Sequence, residues 1–344
     1  MIPAKAKTIV TSAGPLLALV VLFIAFRLAI GPSFWGFLNL QNLLTQTAIV
    51  ATGAIGMTLI IVSGGIDLSC GACVALAAVM AARVLSPVSE LAPDATAMQH
   101  WWHALAMLPD WSAIPVAIIL GAAIGLINGS LITGLQQMPF ITTLGMMGIA
   151  RGLAKWQSDE QPVNFEADWL TGIMASPPRP SAGAGIVSYL KTAPSIWIVI
   201  GLVALMSLVM RLTVFGRHIY AIGSNELAAR LCGIRITWTK LAIYTLAGAF
   251  FGLAGVFSAA RLTQGDPTTA LGLELDIIAA VVVGGASLSG GTGTVVGSIV
   301  GALLMAVLRN GSNQIGWPPY SQEILIGVAI TVAVALDRLR TRRE

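Results

Sequence analysis

Charge is scarce in this chain. Asp, Glu, Lys and Arg make up 10% of its 344 residues, against about 25% in a soluble domain, too few to cover a water-facing surface. Cys70, Cys73 and Cys232 are too few for a disulfide framework. The histidines, His100, His103 and His218, make no ligand pattern with a cysteine or carboxylate cluster, so no metal site is expected. There is no Gly-Lys-Ser or Gly-Lys-Thr phosphate loop, which excludes ATP hydrolysis by that route. No acidic residue lies between Asp276 and Glu323 to hold a ribose, so Gly291-Thr292-Gly293 with Gly297 is not a dinucleotide fingerprint. No nucleophile and base pair suggests an intramembrane enzyme.

Apolar residues are abundant. Hydrophobic side chains account for 56% of the sequence and the mean hydropathy is +0.85. A hydrocarbon core about 30 Å thick takes roughly 20 helical residues. The expected fold is therefore an all-α integral membrane protein, a polytopic bundle of about ten transmembrane helices forming one domain over 1–344. Candidate spans lie near 9–30, 43–62, 68–85, 113–134, 139–155, 194–212, 240–260, 276–288, 293–309 and 321–337. The segments 139–155 and 276–288 are too short for an ordinary crossing, which suggests helices broken or buried in protein. The first span follows Lys5 and Lys7, exceeds a signal peptide's apolar region and reads as a retained helix.

The net charge of +4 does not point to a nucleic-acid partner, because the basic residues flank apolar spans instead of forming a surface stripe. With both termini cytoplasmic, the inner side receives Lys5, Lys7, Arg211, Arg217, Arg230, Arg235, Lys240, Arg338, Arg340, Arg342 and Arg343. The outer loops, 86–112 and 156–193, then carry Glu90, Asp94, Asp110, Asp159, Glu160, Glu166 and Asp168. They also hold Trp101, Trp102, Trp111, Trp156 and Trp169, as expected of interfacial anchors.

Glycines recur at helix-packing spacing: Gly121, Gly125 and Gly129; Gly293, Gly297 and Gly301; Gly248 and Gly252. Between lipid-immersed helices such residues permit close backbone approach, so packing explains them without a ligand. Cys70 and Cys73 open an apolar helix with no thioredoxin-like context and read as small packing residues. In Gly64-Gly65-Ile66-Asp67-Leu68-Ser69, Asp67 and Ser69 are placed to cap the helix that follows, with lining of a solute path as a second role. The stretch 282–291, with Gly284, Gly285 and Ser287, aligns residue for residue with 62–71. Each stretch is followed by a helix ending near an arginine, Arg83 or Arg309, which suggests an internal repeat with broken helices. The span count makes the copies parallel; one miscounted span would invert them.

The segment 213–239 is the longest polar stretch expected inside. Within Phe215 to Ile234, Ser224 or Asn225 can cap a short helix, Glu226 suits its positive end, Arg230 its last turn, and Gly233 a left-handed stop. This helix is either a connector resting on headgroups or a docking helix, with Ala228 and Ala229 allowing close approach.

Gly64-Gly65-Ile66-Asp67-Leu68-Ser69, Pro139-Phe140-Ile141-Thr142-Thr143-Leu144-Gly145, the Phe215 to Ile234 loop, and Glu274-Leu275-Asp276 leading to Gly284-Gly285 resemble the permease subunits of bacterial ABC sugar importers of the ribose, galactose, xylose and arabinose type. The likeness runs from about residue 40 to the C-terminus; Cys70 and the long acidic loop 156–193 depart from the family's pattern. The resemblance implies half of an inner-membrane pore, completed by a second copy or a related chain. A cytoplasmic ATPase carrying ATP and magnesium would dock beneath, a periplasmic binding protein would deliver the sugar, and this chain would bind no cofactor. It makes Asn225 to Gly233 the coupling helix, with Gly223, Asn225, Glu226, Ala228, Ala229, Arg230 and Gly233 as the ATPase-coupling positions.

A neutral sugar needs hydroxyl and amide partners, and the spans offer Thr45, Gln46, Thr47, Thr52, Asn128, Ser130, Thr142 and Thr143, each of which could instead bond its own helix. The candidate path and helix-break positions are Gly64, Gly65, Asp67, Ser69, Asn128, Thr142, Thr143, Gly284, Gly285 and Ser287. Two rivals stay open: a branched-chain amino acid permease of the related ABC group, and an ion-coupled secondary transporter using Asp67, Asp276 or Glu323.

Overall fold

The computed structural model describes residues 4–87, 96–178 and 191–341. Glu90, Asp94, Arg342, Arg343 and positions 179–190 of the 156–193 loop lie outside the described residues. In chain order the helices are α1 (Ala4–Ile30), α2 (Phe37–Val62), α3 (Cys70–Leu85), α4 (Ala97–Ala106), α5 (Ala113–Gly134), α6 (Pro139–Ser158) and α7 (Asp168–Met174). They continue with α8 (Pro194–Leu212), α9 (Val214–Ser224), α10 (Glu226–Leu231), α11 (Ile236–Leu262), α12 (Leu273–Val283), α13 (Val295–Ile315) and α14 (Pro319–Thr341). Every predicted span overlaps a helix, and among the described residues 5 helices are long and apolar enough to cross a membrane by length and composition alone.

The two short spans differ. The helix expected over 139–155 runs 20 residues, from Pro139 at its first turn to Ser158. At about 1.5 Å per residue it is about 30 Å long and is not broken. Polar residues after Ala154 hid its last turn, which closes where Asp159 turns left-handed (φ 54°). Helix α12, by contrast, is interrupted: it has 11 residues, roughly half the length of a crossing.

The chain divides into two compact units. The first comprises the described residues of Met1–Gly65, Ser176–Thr239 and Leu275–Glu344. Its centre is α2, which is apolar and buried along most of its length, as a helix enclosed by others must be. Helix α13 runs antiparallel to it: Thr58 Oγ1 donates to Ser298 Oγ (2.7 Å), and Asn310 Nδ2 donates to Asn39 Oδ1 (2.9 Å). Helix α12 runs parallel to α2. Gly53 faces Ile277, and nine residues further along each helix line Val62 and Ala286 both face Gly293. Phe26, Phe34, Leu43, Ala306 and Val307 form an apolar cluster joining α1 to this core. Helix α8 instead exposes Trp197, Ile200, Leu205, Leu208 and Leu212, an apolar outer face suited to lipid.

The second unit comprises the described residues of Ile66–Ala175 and Lys240–Glu274. Helix α3 is buried from Cys70 to Ala82, with both thiols free and enclosed as packing groups. Helices α5 and α11 touch through backbone: a Cβ at Gly121 would overlap the carbonyl oxygen of Gly248, and one at Gly125 that of Tyr244. Val163–Asn164 (β1) and Gln264–Gly265 (β2) pair antiparallel. Arg151 Nη1 donates to the carbonyl oxygens of Pro267 (3.3 Å) and Thr269 (2.9 Å), fixing the turn that follows β2. Arg83 Nε donates to Gln157 O (2.8 Å), and its guanidinium lies 3.8 Å from the Trp102 ring centre.

Candidate functional site

Two glycine breaks end α2 and α12 by the same device. After α2, Gly64 turns left-handed (φ 84°). Its N–H donates to Ile61 O and that of Gly65 to Ile60 O, both at 2.9 Å. After α12, Gly285 (φ 98°) plays that part, with its N–H on Val282 O (3.0 Å) and that of Ala286 on Val281 O (3.1 Å). Each is the paired closure that satisfies the last carbonyls of a helix. Each is followed by a side-chain turn: Asp67 Oδ1 accepts from Ser69 N (2.8 Å), and Ser287 Oγ from Ser289 N (3.2 Å).

The residue-for-residue alignment of 62–71 with 282–291 is therefore corrected by one position. Gly64 corresponds to Gly285 at the helix end, while Asp67 corresponds to Ser287 at the turn, so the second copy is one residue shorter between them. Gly284 is a packing residue, since a Cβ there would overlap Gly297 O. Within the first unit α2 and α12 run in the same direction, which is the parallel alternative.

Within that unit the two breaks meet α9. Gly291 N donates to Val62 O at 2.9 Å. Gly223, near the end of α9, sits over this bond; its Cβ would overlap Val62 O and lie 2.5 Å from Gly291 N. One turn earlier, Tyr220 Oη donates to Gly293 O (2.8 Å), just ahead of Thr294, whose hydroxyl caps α13 by accepting from Gly297 N (3.0 Å).

The short helix expected after Asn225 is α10. Of the two candidate caps, Asn225 acts: its Oδ1 accepts from Ala228 N (3.0 Å). Gly233 (φ 84°) closes the other end, donating to Arg230 O (3.0 Å), while Ile234 N donates to Ala229 O (3.1 Å). Glu226 and Arg230 pair at 3.7 Å across one exposed turn, an interaction worth only a few tenths of a kcal/mol. Ala229 packs inward with Ile222 and Ile236, which ties α9, α10 and the start of α11 into one body. Two leucines face outward beside this pair: Leu227 is 76% and Leu231 89% exposed. Two such leucines on a capped, mixed-charge turn make a surface for a protein groove.

In the second unit the polar path candidates gather around Asp67. Its Oδ1 accepts from Ser69 Oγ (2.6 Å), and Asn128 Nδ2 donates to Ser69 Oγ (3.0 Å) and Asp67 Oδ2 (3.4 Å). Thr143 Oγ1 accepts from Leu68 N (3.1 Å). All four side chains are buried. Asp67 thus organises the turn ahead of α3, whereas the Ser69 hydroxyl faces Asp67 and Asn128 instead of capping the helix. Thr142 stands apart, donating to Gln137 Oε1 and Met138 O. Thr45, Thr47, Thr52 and Ser130 bond carbonyls of their own helices. Asp276, a candidate ion-coupling carboxylate, accepts from Arg309 Nε at 2.6 Å, and Glu323 is exposed.

Sequence reasoning missed Tyr220, the Arg151 clamp and the Arg309 pair with Asp276. Only the last had a local signal, an arginine ending a small-residue helix.

The sequence matches a family described as the branched-chain amino acid transport system permease component over residues 39–334. It is 39% identical to the ribose import permease protein RbsC of Escherichia coli K12 over 324 residues, 94% of this chain and 92% of that protein. It is 37% identical to the galactose/methyl galactoside import permease protein MglC of the same organism over 328 residues, 91% of this chain and 90% of that protein. The L-arabinose transport system permease protein AraH of that organism is 32% identical over 331 residues, 96% of this chain and 92% of that protein. No solved structure matches.

Proposed function

The chain belongs to this family of transport-system permease components, and on that premise we propose that it is the membrane-spanning subunit of an ATP-driven importer of a monosaccharide, a ribose-like pentose or a hexose. The observation that carries the reading is 39% identity with a ribose import permease across 94% of the chain. The scarcity of loop residues and the absence of a phosphate loop assign hydrolysis to a separate ATPase, which holds ATP and magnesium. Lys and Arg flanking the spans support an orientation with both termini and the 213–239 segment in the cytoplasm and the acidic 156–193 loop on the other side of the inner membrane. There a secreted binding protein delivers the sugar.

On this reading α10 seats in the ATPase through Leu227 and Leu231, with Asn225, Glu226, Ala228, Ala229 and Arg230 shaping the helix, and Gly223 and Gly233 as its hinge positions. A second copy or a related chain completes the pore. Gly64, Gly65, Gly285 and Ser287 form the breaks about which the helices rearrange, with Gly284 packed against Gly297 beside the second break. Asp67, Ser69, Asn128 and Thr143 hold the turn ahead of α3, and Thr142 holds the start of α6. Alternating access then interconverts two packings of the bundle.

The test is uptake into proteoliposomes holding this chain, its ATPase and its binding protein, with labelled D-ribose, D-galactose, L-arabinose and L-leucine. Sugar uptake that needs all three components and ATP is expected. Uptake of leucine alone would transfer the chain to the amino acid branch. Uptake by the chain without the ATPase, driven by a proton or sodium gradient, would overturn the reading in favour of an ion-coupled carrier.

A further inference from the structure

The docking helix has no long lever. Residues 226–231 make fewer than two turns, and what connects them to the rest of the first unit is α9. The small core of Ile222, Ala229 and Ile236 makes α9 and α10 move together. Helix α9 in turn meets the two breaks at one joint. Most of that joint is main chain: Gly291 N bonds Val62 O, and Gly223 closes over both. Its side-chain member is the Tyr220 hydroxyl, which donates to Gly293 O at 2.8 Å.

Gly293 is a strategic acceptor. It adopts φ 143° and lies between the second break and the cap of α13, where a Cβ would come within 2.7 Å of Ala286 Cβ and 2.9 Å of Val62 Cγ2. A carbonyl held there fixes the direction in which α13 begins. Burial raises the Tyr220 phenol above its ordinary range, with Arg211 pulling the other way. The group stays protonated at neutral pH and keeps its proton to donate.

We propose that Tyr220 is a positioning residue for coupling: its bond to Gly293 O makes displacement of α10 displace the start of α13, so that nucleotide-driven movement of the docking helix opens the glycine breaks. Without the bond α10 can still dock, but its movement dissipates in α9. This rests on the reading of the chain as an ATP-driven importer.

Tyr220→Phe keeps the ring and removes only the hydroxyl. In proteoliposomes with the ATPase and binding protein, three quantities are read: ATPase retained on the permease, ATP hydrolysed, and labelled D-ribose, D-galactose or L-arabinose taken up. The expected result is unchanged ATPase retention and a fall of about fivefold in sugar moved per ATP, the scale of one neutral hydrogen bond. Faster amide exchange over residues 285–294 in the purified variant, with α5 unchanged, is expected even if the assembly is lost. An unaltered ratio with unaltered exchange would overturn the role of Tyr220 while leaving the importer reading intact. Loss of retention and uptake together, with exchange unaltered, would make Tyr220 a docking residue and overturn the coupling role. A wild-type assembly that moves none of the sugars would overturn both.

Discussion

Arg309 Nε donates to Asp276 Oδ2 at 2.6 Å, tying α13 to α12 through a carboxylate that is 4% exposed and a guanidinium that is 35% exposed. For a carboxylate this deeply buried, losing the guanidinium that bonds it costs more than the intact pair contributes. Arg309→Leu is expected to lower stability by about 3 kcal/mol. Asp276→Leu combined with Arg309→Leu should recover most of the loss. Thermal unfolding in nanodiscs reads both; a double variant no better than the single one would show that the pair matters for shape and not for charge.

The α5–α11 contact makes a second prediction. A methyl group at Gly125 meets the carbonyl of Tyr244, whereas Gly134, at the end of the same helix, has nothing within 4 Å of its would-be Cβ. Gly125→Ala should cost about 1–3 kcal/mol by overpacking, and Gly134→Ala should be neutral or slightly stabilising. Equal melting temperatures for the two variants would contradict backbone contact at Gly125.

Asn225→Ala removes the acceptor for Ala228 N and should weaken α10 by about 1 kcal/mol, with Asn225→Asp close to wild type. Because α10 lies outside the spans, the bundle should remain inserted while ATPase retention falls. Arg230→Glu and Gly233→Pro should go further and abolish ATP-driven uptake at normal expression. Wild-type uptake in those two variants would remove α10 from the coupling route.

Arg151 holds the turn after β2 through the carbonyls of Pro267, Thr269 and Ala270. Arg151→Gln is expected to speed amide exchange over 264–272 about tenfold, since hydrogen bonds from a charged donor exceed neutral ones. The α5–α11 contact should be undisturbed. Exchange confined to its wild-type rate would mean that β1 and β2 hold the turn without the guanidinium.

The spans were legible because a membrane forces long apolar runs, and the caps of α10 because Asn225, Glu226, Arg230 and Gly233 act on neighbours in sequence. The end of α6 was not, since Lys155 to Ser158 lower the local hydropathy while continuing the helix. Nor was the register between the two breaks. Glycine pairs align by identity, but which glycine turns left-handed depends on where the preceding helix ends, and that differs by one residue between Gly64 and Gly285. Tyr220 and Gly293 lie 73 positions apart, and no periodicity marks a tyrosine that reaches a carbonyl. The threonines illustrate the opposite limit: hydroxyls that composition offered to a solute are occupied by the helices that carry them.

The clasp between Gly291 and Val62 is written in peptide groups, and what guards it is the lack of a side chain: a single methyl at Gly223 would push into the bond. A joint built this way is specified by an empty space, so any side chain larger than hydrogen at that one position loosens it, whatever the rest of the bundle does.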